Sequence, residues 1–194
     1  MLDPTATRPD WNRLYETASG QCGYFTTQQA ASDGYSTHLL RKHIHAGRVL
    51  RARRGIYRLV HFPVSEHEDL VALWLWSEQH GVVSHQTALA FHELSDVLPS
   101  RVHLTLPVAW QKRRLRVPPD VRLHYADLSA EDRTWFGAVP ITAPRRTLND
   151  CATAGFSLEL LQQATRQALH RGLVRRDELG DVERALAPFG GLEA

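Results

Sequence analysis

The chain has 194 residues, 43% of them hydrophobic and 23% charged, a composition ordinary for globular proteins and long enough for one large domain or two small ones with real cores. The longest strongly apolar run, 70–76, is too short to span a bilayer and no secretory h-region follows Met1, while two cysteines, Cys22 and Cys151, with no metal-ligand spacing exclude a disulfide framework and imply a reduced, cytoplasmic setting. Charge is the informative property: residues 34–65 hold no Asp or Glu but carry Arg41, Lys42, Arg48, Arg51, Arg53, Arg54 and Arg58, making that segment +7 in a chain of +2 and leaving −5 for the rest. A solvated helix face normally mixes both signs, so a one-sign stretch reads as the footprint of a polyanion.

In chain order, residues 1–8 read as a loose leader. Pro9 suits a first helical position, and Trp11, Leu14, Tyr15 and Ala18 then recur on one face of a short helix that Gly20 and Gly23 end. Thr26 and Gln29 make a capping box with Phe25 just outside it, predicting a second short helix closed at Gly34. Ser36 caps a third helix over 37–46, with Gly47 past its end. At about 100° per residue, Leu39, Leu40, His43 and Ile44 share one arc of it. Thr37, His38, Arg41, Lys42 and His45 share the opposite arc, so the helix packs by one side and shows a cationic side outward. After Gly47 the period changes to two: Leu50 and Ala52 alternate with Arg51 and Arg53, and a turn at Arg54-Gly55 leads into a second strand, 56–59.

Two short helices joined by a glycine turn, a cationic third element and a basic hairpin read as a winged helix-turn-helix over 8–62. A helix fits the major groove, where its exposed side chains reach base edges. Thr37, His38, Arg41, Lys42 and His45 are the candidate base or groove contacts. Arg51, Arg53 and Arg54 are placed on the hairpin for adjacent phosphates or the minor groove. Thr27, Gln28, Ser36, Arg48 and Arg58 complete the candidate DNA-binding set. His38 and His45 retain the competing role of neutral, solvent-exposed residues.

From Glu66 the composition changes to Trp, Leu and mixed charge, and a second domain of α+β type with a small sheet is predicted over 66–190. Its expected elements are a helix over 66–80, Val82-Val83, a helix over 86–92, strands at 102–106, 121–125 and 139–142, a helix opened by Pro144, a strongly periodic helix over 157–171 and another over 177–187. Lys112, Arg113 and Arg114, beside Trp110, are either a second phosphate contact or a loop kept soluble by charge. Arg145 and Arg146 oppose the dipole at a helix start, which asks for a partner: an internal carboxylate or an external anion. Leu161, Ala164 and Ala168 suit either the core or a subunit interface.

Both halves resemble the AbiEi-type antitoxins of type IV toxin–antitoxin systems and the transcriptional regulators related to them. The first resemblance is Gly23-Tyr24-Phe25-Thr26-Thr27-Gln28-Gln29-Ala30-Ala31, continued by Arg53-Arg54-Gly55-Ile56-Tyr57-Arg58-Leu59. The second, more distinctive, begins Val83-Ser84-His85-Gln86-Thr87-Ala88-Leu89-Ala90-Phe91-His92-Glu93-Leu94-Ser95-Asp96 and continues through Leu98-Pro99-Ser100-Arg101-Val102-His103-Leu104-Thr105 to Ile141-Thr142-Ala143-Pro144-Arg145-Arg146-Thr147-Leu148-Asn149-Asp150. The resemblance implies an amino-terminal winged helix that binds and represses the promoter of its own operon. It also implies a carboxy-terminal domain implicated in antitoxicity and repression, and a nucleotidyltransferase-like toxin opposed without a stable complex. A stand-alone regulator without a toxin, or a winged helix that contacts protein, are the alternatives, and the oligomeric state is left open.

Enzymatic readings fare worse. His92 and Asp96 lie one helical turn apart, but His85 and His92 lack the i, i+4 spacing of a zinc helix, so the expectation is histidines hydrogen-bonded to backbone, with no metal and no cofactor. A metal-dependent nuclease would need acids grouped near a strand, and only Asp127 follows the predicted strands. No phosphate-cradling glycine loop or Gly-x-Ser-x-Gly elbow is present, and Cys151 reads as core. No catalytic residue is expected.

Overall fold

Capping chemistry determines where the first helices begin. In the computed structural model, which describes residues 8–192, Asp10 rather than Pro9 starts helix α1 (Trp11–Ser19): its Oδ1 accepts from the backbone N–H of Asn12 and Arg13. The predicted leader lies almost wholly outside the described residues. Strand β1 (Tyr24–Thr26) runs directly into α2 (Thr27–Ser32) through the expected capping box, in which Thr26 Oγ1 accepts from Gln29 N and Gln29 Oε1 accepts from Thr26 N. Ser36 caps α3 (Thr37–His45), its Oγ accepting from Leu39 N. Strands β2 (Val49–Arg53) and β3 (Ile56–Leu59) follow, and the sheet is antiparallel in the order β1-β3-β2.

One face of this sheet closes the first core, where Phe25, Val49, Tyr57 and Leu59 meet Leu14 and Ala18 of α1, Ala30 of α2 and Leu40 of α3. Each of the buried Leu, Val and Phe side chains contributes roughly 1.5–3 kcal/mol on leaving water. His43 lies with the apolar arc as expected, stacked on Trp11 (centroids 5.1 Å, 13°) and edge-on to Tyr35. Burial, then the Arg48 charge, lowers its pKa. Helix α4 (Glu68–Trp76) packs against β1 and β3. Gln79, just beyond it, donates to Gln21 Oε1 at 3.0 Å, and Gln29 donates to the same oxygen at 2.9 Å. The compact division therefore falls between Gln79 and His80, after α4, whereas composition alone suggested a break near residue 66.

The second unit, His80–Ala194, is built on a five-stranded mixed sheet in the order β6-β5-β4-β8-β7. The strands are β4 (Val82–Val83), β5 (Val102–Leu106), β6 (Val121–Tyr125), β7 (Arg133–Phe136) and β8 (Val139–Thr142). Helices α5 (His85–Phe91), α6 (Pro144–Thr153), α7 (Leu158–His170) and α8 (Gly180–Leu186) complete it. Leu89, Leu148, Leu161, Ala164, Ala168 and Val182 share its core, so the small-residue face of α7 is spent inside the unit. The chain is thus α+β, with helices and small sheets. Strand β7 was not predicted: Arg133, Thr134 and Trp135 are all exposed, so it shows no buried alternation. The predicted helix over 177–187 is shorter and broken, a 3-10 turn at Arg176–Glu178 preceding α8. Arg145 and Arg146 have internal partners, Asp132 at 3.0 and 3.5 Å and, for Arg146, Asp150 at 2.8 Å. No helix among the described residues is long and apolar enough to cross a membrane.

Candidate nucleic-acid interface

The cationic arc of α3 is set by its packing. Leu40 is buried against the sheet and Ile44 half-buried, which turns Thr37, His38, Arg41, Lys42 and His45 outward; all five are exposed. His45 Nδ1–H donates to Arg41 O at 2.7 Å, fixing its ring against its own helix. Ser36 is exposed too, but its hydroxyl is engaged as the cap. In α2, Gln28 is exposed while Thr27 donates its hydroxyl to Gly55 O at 3.2 Å. That bond ties the start of α2 to the tip of the β2–β3 hairpin. Thr27, Gln28 and Arg54 consequently share the wall of one cleft of about 500 Å³.

The hairpin departs from simple alternation. Arg51 pairs with Tyr57 and Arg53 with Ile56, so a bulge intervenes at Ala52. Residues two apart on a regular strand share a face, and a bulge breaks that rule. Arg51 therefore emerges on the face shared with Val49 and Tyr57, the face α3 packs upon, and Arg53 on the opposite face with Ile56. Leu50 and Ala52 are exposed: Leu50 pairs with Arg58 on the face away from the core, and Ala52 sits at the bulge. Arg48, Arg51 and Arg54 are exposed and Arg53 is half-buried.

Arg58 lies on the far face of β3 and is only 6% exposed. Its guanidinium donates to Glu68 Oε2 at 2.8 and 3.2 Å and to the carbonyls of Leu59, Phe62 and Pro63. It is thus withdrawn from the predicted DNA-binding set: its charge is compensated and its donors are used inside the unit. Beside it, Tyr24 donates to Glu68 Oε1 at 3.3 Å, and burial, then the Glu68 charge, pushes the phenol up to about 12. A positive letter in a cationic run carries no sign of burial; the clue available was Glu68, the first carboxylate of the helix that follows.

In the second unit Lys112, Arg113 and Arg114 are exposed in the loop after a 3-10 turn (Val108–Trp110). Arg113 lies over the Trp110 ring, 3.7 Å from its centroid, which holds the cluster to the unit. Cys151 is buried, and burial pushes its thiol up, away from nucleophilic chemistry. His92 is bonded to backbone as expected, its Nε2 to Thr142 O at 2.7 Å.

Residues 12–60 match the family model described as "Transcriptional regulator, AbiEi antitoxin". The fold is shared with a crystal structure of the RV2827C protein from Mycobacterium tuberculosis: TM-score 0.54 at 16% identity, covering 96% of this chain and 75% of that one. No curated protein matches the chain.

Proposed function

We propose that the segment matching the AbiEi regulator model is a winged helix-turn-helix, and that the protein is a sequence-specific, double-stranded-DNA-binding transcriptional regulator, not an enzyme. Helix α3 is its recognition helix and the β2–β3 hairpin its wing. The observation that carries this reading is the single-sign surface: Arg41 and Lys42 on α3, and Arg48, Arg51 and Arg54 on and beside the hairpin, exposed in a stretch without one acid. Thr37, His38, Arg41, Lys42 and His45 reach base edges, while Arg48, Arg51, Arg54 and the α2 residues Thr27 and Gln28 hold the backbone. Of the cluster Lys112, Arg113 and Arg114, Arg113 is taken up over the Trp110 ring, and Lys112 and Arg114 supply a second phosphate contact. Arg53 faces the other side of the wing and Arg58 is structural, so neither belongs to the proposed contact set.

The finer reading is an autorepressing antitoxin of a type IV system acting in the cytoplasm. Its operator is then its own promoter, and a nucleotidyltransferase-like toxin is encoded beside it without forming a stable complex. The test is a gel shift against the DNA upstream of its own reading frame. Arg51→Ala with Arg54→Ala weakens all sequences alike, whereas Arg41→Ala relaxes preference at one position. Wild-type binding by both variants refutes the assignment.

A further inference from the structure

Three histidines far apart in sequence meet in the second unit. His103 is on β5, His124 on β6, and His85 opens α5 just past the end of β4, so three neighbouring strands bring the imidazoles together. The register explains it: Thr105 pairs with His124, which puts His124 on the same face as Thr105 and His103. Ser84 N donates to His103 O, which brings the end of β4 level with His103. At His85 the backbone is left-handed (φ 52°), a conformation few non-glycine residues adopt, and it aims the ring at the other two. One nitrogen from each ring lies within 4.8 Å of the others. No carboxylate belongs to the group.

We propose that His85, His103 and His124 form a binding site for a divalent transition-metal ion of the zinc class, with the fourth position open to solvent. Imidazole nitrogens suit such ions, and three protein ligands with one open position is the pattern of accessible zinc sites. Tetrahedral ligands about 2.0–2.1 Å from zinc stand about 3.4 Å apart. His103 Nδ1 and His124 Nε2 are already 3.0 Å apart, sharing one proton. A neutral His124 that moves this proton to Nδ1 turns both lone pairs toward the ion, with no net proton released. His85 must tilt from its stack on His124 (centroids 3.5 Å, 17°) to close the site.

A supporting shell is present. Ser84 Oγ lies 2.9 Å from His85 Nδ1 and accepts from Thr105 Oγ1 at 2.8 Å. With Nδ1–H held by that oxygen, His85 offers Nε2. The rings line a cavity of about 290 Å³ together with Gln86, Arg122 and Cys151. Arg122 opposes a bare dication, so the fourth ligand is anionic: a hydroxide or an entering carboxylate or phosphate. This site stands independently of DNA binding.

The full chain, stripped with chelator and desalted, is titrated with Zn²⁺ by calorimetry and with Co²⁺ by visible absorption. One equivalent binds, and Co²⁺ gives the intense band of a four-coordinate site. His124→Phe keeps a ring on the stack but removes the donor, and lowers affinity at least 100-fold; Ser84→Ala lowers it about tenfold. His61→Gln with His170→Gln, both exposed, changes neither. Should His124→Phe misfold by circular dichroism, His103→Gln replaces it. Absence of a stoichiometric ion on the wild-type chain overturns the proposal, as does undiminished binding by a folded ligand variant.

Discussion

Arg58 and Glu68 give the sharpest separation between cations that hold the fold and cations proposed to meet DNA. Replacing Glu68 with Met leaves a guanidinium whose side chain is 7% exposed without a counter-charge, though still with three carbonyl acceptors. Removing one partner of a buried pair costs about 3–5 kcal/mol; the carbonyls and the partial exposure of Glu68 place this one near the lower end, about 3 kcal/mol. At a urea slope of about 1.5 kcal/mol per M, the unfolding midpoint of the first unit falls by about 2 M. Because paired apolar replacement of a buried ion pair is close to neutral, Arg58→Met with Glu68→Met returns to within about 1 kcal/mol of wild type. The assay is urea unfolding of the full chain followed by fluorescence, to which Trp11, Trp74 and Trp76 contribute in that unit. The double variant also retains DNA affinity, since the pair adds no net charge. A single-variant cost below about 1 kcal/mol, or a folded double variant that no longer binds DNA, refutes the structural assignment of Arg58.

Other consequences are equally specific. Gly23→Ala destabilises by at least about 2 kcal/mol in thermal unfolding, because φ is +86° and a Cβ there meets Phe62 Cβ at 2.7 Å. Thr26→Ala removes the α2 capping box and costs about 1 kcal/mol by the same measurement. Burial would raise the Asp132 carboxyl, but hydrogen bonds from Ser129 and the Arg146 and Arg145 guanidiniums outweigh it and hold the group below its usual range. A depressed folded-state pKa stabilises above the unfolded value, about 3.9, and that stability is lost as pH falls through the folded value. The difference in Tm between wild type and Asp132→Asn is therefore full at pH 7 and shrinks in acid; a difference that grows in acid contradicts the assignment.

Local chemistry was the legible part of this chain. The Thr26–Gln29 box, the Ser36 cap and the two arcs of α3 each depend on residues within one or two turns, which periodicity captures. What escaped depends on pairing. The bulge that sends Arg51 and Arg53 to opposite faces exists only in the register of β2 on β3. Arg58 reads as one more cation until Glu68 is seen beside it. The sequence argument sought metal ligands one helical turn apart, around His92, whereas His85, His103 and His124 are gathered by the order β6-β5-β4.

The measurement closest to the central claim is the salt dependence of binding to the chain's own upstream DNA. Each phosphate neutralised contributes about −0.9 to the slope of log K against log salt, so the proposed phosphate contacts Arg48, Arg51, Arg54, Lys112 and Arg114 together give about −4.5. Replacing Arg51 and Arg54 by Ala reduces that slope by about 2 units. A flat salt response, or a slope unchanged when those two arginines are removed, contradicts the account.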